Sequence, residues 1–242
     1  MIDIQFDGGV LEESALEAVV ATPRPVLRES LSSRAYDALR DRLRRGQVAP
    51  DDRLVDTEIA RELVVSRMPV REALLQLVAE GYLVSTARGY RVPTLTHQDV
   101  TEIFEVRRLL EPRAAALAAR DLQSDAARRL TMALAEARDA VARGDFSGLF
   151  HANVDFREAW LGAVQNTRLA ATISRFIDHV QTVRYGTLRD PATQQVVIDG
   201  LTELHDAMLR HDSVLAQDSM LRFIHAAERS FAAQAARALA TP

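Results

Sequence analysis

The chain has 242 residues, of which 48% are hydrophobic, and it carries a formal net charge of −4 and no cysteine. This length is enough for two domains of ordinary size, and no apolar run approaches the ~18 residues that span a bilayer. The missing thiols exclude disulfides, thiolate zinc sites and a cysteine nucleophile. The first residues, MIDIQFDGGVLEES, lack the basic and apolar regions of a secretory signal, so we predict a cytoplasmic protein with no membrane partner.

The charge is distributed unevenly along the chain. Residues 1–26 carry a net charge of −4, residues 27–92 carry +2, and residues 93–242 carry −2. All 30 basic residues are arginine. A small basic segment in an otherwise acidic protein favours salt-sensitive binding to nucleic-acid phosphates at one local site. It does not favour non-specific electrostatic binding along the length of DNA.

The N-terminal third begins with an acidic arm, residues 1–26, in which the sequence TPRP blocks helix. From Ser30 onward, apolar residues recur at three- and four-residue spacing and predict a helix that ends at Gly46. The segment DTEIARELVV then predicts a second, short helix that is capped by Asp56 or Thr57.

A third helix is predicted to begin after Ser66, which is a favourable N-cap residue, with Pro69 in the first turn and Gly81 at the end. Five apolar residues form its predicted buried face: Val70, Ala73, Leu74, Leu77 and Val78. The following segments YLVST and YRVPT predict two short strands joined by a tight turn. The order helix, helix, helix, hairpin is typical of a winged helix-turn-helix.

Arg67 and Arg71 lie four residues apart at the start of this third helix, so they share its exposed face. The second helix of a helix-turn-helix enters the major groove, where its N-terminal residues contact bases and an arginine can pair bidentately with guanine. The alternative is that both arginines only solvate the helix surface and form salt bridges with Glu62 or Glu72.

After Pro93 the sequence predicts helix to the end of the chain, with an antiparallel all-α bundle as the expected arrangement. The predicted helices cover about residues 98–120, 125–143, 145–164, 167–188, 192–210 and 214–240. Pro112 is predicted to kink the first of them. The expected fold class is therefore mainly α, with a winged helix-turn-helix followed by a helical bundle.

These segments resemble a known family. The N-terminal motif resembles the DNA-binding domain of GntR-family bacterial transcriptional regulators. It consists of VSRMPVREALLQLVAEGYL, with DTEIARELVV before it and ARGYRV after it. Three further segments resemble the FadR-type effector domain, called FCD: EVRRLLEPRAAALAAR, the helix junction at Asn166, and TELHDAMLRHDSVLAQDSM. The resemblance covers about residues 30–235.

The resemblance implies a winged-helix domain over residues 27–93 and an effector-binding and dimerisation domain over residues 94–242. It implies a homodimeric repressor that binds double-stranded operator DNA and responds to a small organic acid. The implied DNA contacts are Thr57, Ser66, Arg67, Met68, Arg71, Arg88 and Gly89. Met68 stands where the family often has a small polar residue, which puts base preference at that position in question.

Many members of the family hold a divalent metal with one aspartate and three histidines. The matching positions of this chain are Asn153, Arg157, His205 and Phe223, so the resemblance predicts neither a metal nor another cofactor. Arg157 places a fixed cation where the metal would be, and we predict that it holds the acidic effector, with Arg107 facing the same cavity.

Two alternatives remain open for this pocket. In the first, Asp155, Glu158 or Glu111 neutralises Arg157 and closes the pocket. In the second, a shifted metal site forms from His151, Asp155, His205 and His225. The second would require helix rotations of ~200° relative to the family, because each α-helical residue turns by ~100°.

Three classes of function compete. An effector-responsive regulator is the first, and a ligand-independent DNA-binding dimer whose helical domain only dimerises is the second. An enzyme is the third, and we predict that the chain is not one. The sequence offers no nucleophile–base constellation, no Gly-rich phosphate loop and no paired carboxylates supported by histidine.

Overall fold

A computed structural model of the chain describes residues 30–49, 52–179 and 187–240. The predicted N-terminal arm, residues 1–26, lies outside these ranges. The described residues are mainly helical and contain a small antiparallel sheet of two strands, which confirms the predicted fold class. No helix in these ranges is long and apolar enough to cross a membrane.

The described residues up to Arg91 fold as a winged helix-turn-helix. Its elements are α1 (Leu31–Arg44), α2 (Asp56–Glu62), α3 (Arg67–Ala79), β1 (Val84–Thr86) and β2 (Gly89–Arg91). They enclose a hydrophobic core to which α1 contributes Ala35 and Leu39, and α2 contributes Ile59 and Ala60. Of the five apolar residues predicted for the packed face of α3, four are fully buried in it and Val78 is half-buried, so the 3.6-residue periodicity identified the face correctly.

One predicted helix cap is wrong and the other is confirmed. Helix α2 begins at Asp56 and its N-cap is Val55, so neither Asp56 nor Thr57 occupies the capping position. Ser66 does occupy the N-cap of α3 with extended backbone angles, but its side chain makes no capping hydrogen bond. The backbone N–H groups at the start of α3 therefore remain available to another acceptor.

The wing is a hairpin in which Val84 pairs with Arg91 and Thr86 pairs with Gly89. Leu54 adds a bridge to Tyr90, with its backbone N–H 2.8 Å from the Tyr90 carbonyl oxygen. Gly89 has a φ of +131°, and a Cβ at this position would lie 2.5 Å from the Leu54 carbonyl oxygen. Glycine is required here because the segment before α2 approaches the turn so closely.

The described residues from His97 onward form a helical bundle with its own hydrophobic core. Its elements are α4 (His97–Arg120), α5 (Ser124–Ala142), α6 (Phe146–Gly162), α7 (Thr167–His179), α8 (Pro191–Leu209) and α9 (Ser213–Ala240). The core extends from Val100 to Ile224 and is rich in alanine, which allows the helices to approach closely. Part of the helix predicted at residues 167–188 lies outside the described residues.

Helix α4 begins with a capping box in which the Thr96 side chain accepts from the Asp99 N–H and the Asp99 carboxylate accepts from Thr96. These hydrogen bonds lower the pKa of Asp99. The helix continues without interruption through Pro112, which is buried. It positions Arg107 and Glu111 one turn apart on a face that points into the bundle.

Candidate DNA-binding surface and effector pocket

The start of α3 exposes three of the residues implied as DNA contacts: Arg67, Met68 and Arg71. Met68 is 62% exposed, which is unusual for an apolar side chain of this size. The opposite face of the helix is fully buried, so the core fixes the orientation of the helix and leaves the arginines free to contact a partner. This is the arrangement required of a recognition helix.

Arg67 is held in place by an ion pair within the winged helix. Its Nη2 atom lies 3.0 Å from Oδ2 of Asp56 at the start of α2, and this hydrogen bond lowers the pKa of Asp56. The alternative pairing of Arg67 with Glu62 is wrong, because Glu62 pairs instead with Arg42 at 2.7 Å. The Arg67 side chain is nevertheless 64% exposed, so the pair orients the guanidinium without burying it.

The other implied DNA contacts border the same surface. Ser66 is exposed at the start of α3, and Thr57 is half-buried in the first turn of α2. Arg88 is exposed at the tip of the wing, where its carbonyl oxygen accepts a hydrogen bond from Nε of Arg53. Gly89 is half-buried, and its close approach to Leu54 gives it a structural role in the wing.

In the helical bundle, three of the five residues predicted to bind the effector are buried. Asn153 and Arg157 lie one turn apart on α6 and are 3% and 9% exposed. The Asn153 Oδ1 atom is buried without a hydrogen-bond partner among the described residues. Arg107 is 5% exposed, and its Nε atom lies 2.6 Å from Oε1 of Glu111, so this cation is balanced within α4.

His205 and Phe223 occupy different surroundings from these three. The Nε2 atom of His205 lies 2.9 Å from the Thr131 hydroxyl, which itself donates to the Ala127 carbonyl. The other ring nitrogen, Nδ1, lies 3.3 Å from Oδ1 of Asp206, so both nitrogens of His205 have polar neighbours within the protein. The ring of Phe223 packs against Gly200, so α8 and α9 approach closely at this point.

This set of residues does not fit a divalent metal. An amide, a guanidinium and a phenyl ring replace three of the expected ligands, and only the fourth, His205, is a good metal ligand. The shifted metal site is also wrong. Within residues 30–49, 52–179 and 187–240, no three histidine, aspartate or glutamate side chains are grouped so that they could hold a metal. His225, for example, is 46% exposed and faces Glu228.

Two of the three carboxylates considered as partners of Arg157 form ion pairs with other arginines. Glu111 pairs with Arg107, as described above. Glu158 lies 3.2 Å from Nη2 of Arg44 on α1, so it links the bundle to the winged helix. Arg157 itself already interacts with another group of the protein, so the prediction that a carboxylate neutralises it stays open.

The contacts between the winged helix and the bundle were missed at the sequence level. Besides the Arg44–Glu158 pair, Nη2 of Arg40 donates to the Ser174 hydroxyl at 2.8 Å. Both contacts join residues more than 100 positions apart, and both arginines lie on α1. No local pattern predicts such pairs, because amphipathic periodicity identifies the exposed face of a helix but not what that face contacts.

Two cavities lie elsewhere on these elements. Phe223 and Gly200 line the first, which has a volume of about 360 Å³ and lies between α8 and α9. The second, of about 590 Å³, is a cleft between the winged helix and the bundle. Neither cavity is lined by the other four predicted effector residues, Arg107, Asn153, Arg157 and His205. The predicted effector residues are therefore not brought together in either cavity.

The fold and the exposed face of α3 define a winged helix-turn-helix protein with a helical second domain. Comparison with known families identifies it further. The gntR family of bacterial regulatory proteins matches residues 31–90, and the FCD domain matches residues 102–226, more than half of the chain. The chain belongs to the gntR family and carries an FCD domain.

Several curated proteins similar to this chain are named as transcriptional regulators. The chain is 30% identical over 143 residues to the Nta operon transcriptional regulator of Aminobacter aminovorans, covering 56% of this chain and 65% of that protein. It is 27% identical over 212 residues to a probable D-xylose utilization operon transcriptional repressor of Paenarthrobacter nicotinovorans, covering 85% and 91%.

The regulator McbR of Escherichia coli is similar in both sequence and structure. The sequences are 34% identical over 131 residues, which is 54% of this chain and 59% of McbR. The solved McbR structure superposes with a TM-score of 0.72 and 25% identity, covering 85% of this chain and 98% of that one. The sequence matches to McbR and the Nta regulator thus span slightly less than two thirds of those proteins.

Proposed function

We propose that the chain is a sequence-specific DNA-binding transcriptional regulator whose third helix reads the major groove. The observation that carries this proposal is the start of α3, where Arg67 and Arg71 project from a helix whose opposite face is fully buried. The free N–H groups of the first turn add a binding place for a backbone phosphate. The wing, with Arg88 at its tip, is the second contact.

Selection of duplexes from a random-sequence pool tests this proposal. We expect enrichment of a palindrome with two half-sites, because two copies of α3 related by a two-fold axis must reach successive major grooves. We therefore propose a homodimer, with the bundle as the dimerisation domain and the cytoplasm as its location. Enrichment of no common sequence, or a monomer at micromolar concentration in sedimentation, contradicts this.

We also propose that the regulator is a repressor that responds to a small organic acid and is not an enzyme. One similar protein is named as a probable transcriptional repressor, which supports repression rather than activation. Arg157 supports the effector, because it is a fixed cation buried on α6. Charge-assisted bonds from a guanidinium to a carboxylate gain strength where water is excluded.

The position of Arg157 suggests how such binding reaches the DNA-binding helix. Its neighbour Glu158 pairs with Arg44, which lies on α1, and α1 packs against α3. A carboxylate that draws Arg157 changes the position of α6 and therefore the geometry of the Glu158–Arg44 pair. A ligand that binds one arrangement more tightly shifts the population toward it.

Arg157→Ala is expected to abolish thermal stabilisation by the acidic effector without preventing folding. The measurement is a thermal shift with a panel of small mono- and dicarboxylates, in which a binder of the folded state raises the midpoint. Arg168→Ala, which removes an exposed arginine from the same bundle, is the matched control and is expected to respond as the wild type does. Equal responses from all three proteins exclude Arg157 as the anchor.

The alternative function, a ligand-independent DNA-binding dimer, is favoured by one observation. The buried residues Arg107, Asn153 and Arg157 line neither of the two cavities described above. On this proposal they only stabilise the bundle, and no carboxylate in the panel raises the midpoint of the wild-type protein.

A further inference from the structure

The cleft between the winged helix and the bundle is positively charged, although the protein as a whole is acidic. Four arginines and two glutamates line it: Arg40, Arg44, Arg129, Arg175, Glu80 and Glu158. Its net charge is +2, compared with −4 for the whole chain. The arginines come from α1, α5 and α7, so their charges converge from both sides of the cleft.

The two glutamates of the cleft are already engaged. Glu158 pairs with Arg44. Glu80 accepts hydrogen bonds from the Gln76 amide and from the Tyr36 hydroxyl. Burial and this hydrogen bond raise the pKa of Tyr36, so the phenol remains a neutral donor and adds no negative charge.

Arg129 and Arg175 have no such partner. Both side chains are exposed, and neither forms a hydrogen bond or an ion pair with another residue in the part of the chain that the structure describes. Small residues, Gly162, Ala170 and Ala171, line the wall beside them and leave the cleft open to a volume of about 590 Å³. Two guanidinium groups thus face a space large enough for a small molecule.

We propose that this cleft binds a small phosphate-bearing molecule, held by Arg129 and Arg175 on the bundle and by Arg40 on the winged helix. A tetrahedral phosphate accepts hydrogen bonds from several directions, whereas a carboxylate is satisfied by one planar fork. The Ser174 hydroxyl, which accepts from Arg40, keeps its own proton to donate to a phosphate oxygen.

This site is separate from both sites proposed above. The cleft is lined by Gln76 and Glu80 at the C-terminal end of α3, whereas Arg67 lies at the N-terminal end, about 18 Å away along a 13-residue helix. Arg157 does not line the cleft. A phosphate bound here would bridge α1 and the bundle, and so it would favour the arrangement of the two parts that the Arg44–Glu158 pair already holds.

Calorimetric titration of the full chain with inorganic pyrophosphate tests the proposal. We compare the wild type with the double variant Arg129→Ala, Arg175→Ala and with a control, Arg128→Ala, Arg168→Ala. The control removes two exposed arginines from the same two helices, so it changes the net charge equally, but neither residue lines the cleft. Arg128 pairs only with exposed Asp125 among the described residues, so its loss costs little.

We expect saturable binding with one pyrophosphate per chain, at least tenfold weaker in the cleft variant and within twofold of the wild type in the control. If both double variants bind pyrophosphate more weakly by the same factor, the affinity depends only on the net charge of the protein, and the proposal is overturned. Absence of saturable binding to the wild type would overturn it as well. Malonate, titrated in parallel, distinguishes phosphate from carboxylate: a malonate affinity that also depends on Arg129 and Arg175 contradicts the assignment to phosphate.

Discussion

Arg67→Ala and Arg71→Ala are each expected to weaken operator binding by about 1–3 kcal/mol, a factor of about 5 to 150, and to relax base preference. An arginine that pairs bidentately with guanine carries both affinity and discrimination, so both fall together. In the wild type, Asp56 orients the Arg67 guanidinium through a 3.0 Å hydrogen bond, and Arg67→Ala removes this oriented donor. The measurement is fluorescence anisotropy of the selected duplex and of single-base variants, at one fixed salt concentration.

Both variants are expected to fold as the wild type does, because neither side chain is buried in the core beneath α3. Arg61→Ala is a suitable control, since Arg61 is an exposed arginine in α2 that is not among the proposed contacts. A uniform loss on every duplex, with base preference unchanged, would assign Arg67 and Arg71 to phosphates. Unchanged binding in both variants would remove α3 from the interface.

Glu111→Ala is expected to lower the free energy of unfolding by about 3–5 kcal/mol, because it leaves Arg107 buried without its counter-charge. Arg107 and Glu111 are 5% and 1% exposed, and their Nε and Oε1 atoms are 2.6 Å apart. A loss of this size is a large fraction of the stability of an ordinary domain. Chemical denaturation followed by circular dichroism measures it.

The chain offers a matched control for this prediction. Asp139 and Arg143 form an ion pair with the same four-residue spacing on α5 and its C-cap, but their side chains are 60% and 62% exposed. Asp139→Ala is therefore expected to cost less than about 1 kcal/mol. Similar losses from Glu111→Ala and Asp139→Ala would show that burial does not set the strength of the Arg107 pair.

The helices were predictable because each one buries a stripe of its surface. In α3 the stripe of Val70, Ala73, Leu74 and Leu77 determined the packed face, and the exposed position of Arg67 and Arg71 followed from it. The hairpin was predictable because a glycine, Gly89, lies at its turn, and in the structure this glycine takes a φ of +131°. These features depend on residues close together in sequence, which is why a single sequence reveals them.

Ion-pair partners were less predictable. Arg67 pairs with Asp56 rather than Glu62, and Glu158 pairs with Arg44, a residue of the winged helix more than 100 positions away. Long charged side chains have several partners within reach, and tertiary packing selects among them. The effector pocket was inferred from a family resemblance, so its residues stay a prediction, and the cleft arginines were missed because three helices far apart in sequence supply them.

The most direct test of this account measures operator affinity with and without the carboxylate that most raises the thermal midpoint of the wild-type protein. We predict that this carboxylate changes operator affinity by about fivefold or more, the lower end of ordinary allosteric coupling. Arg157→Ala is predicted to bind the same duplex with wild-type affinity and to show no change on adding the carboxylate. Operator affinity that stays the same within twofold, although the carboxylate binds, would contradict the effector-responsive regulator.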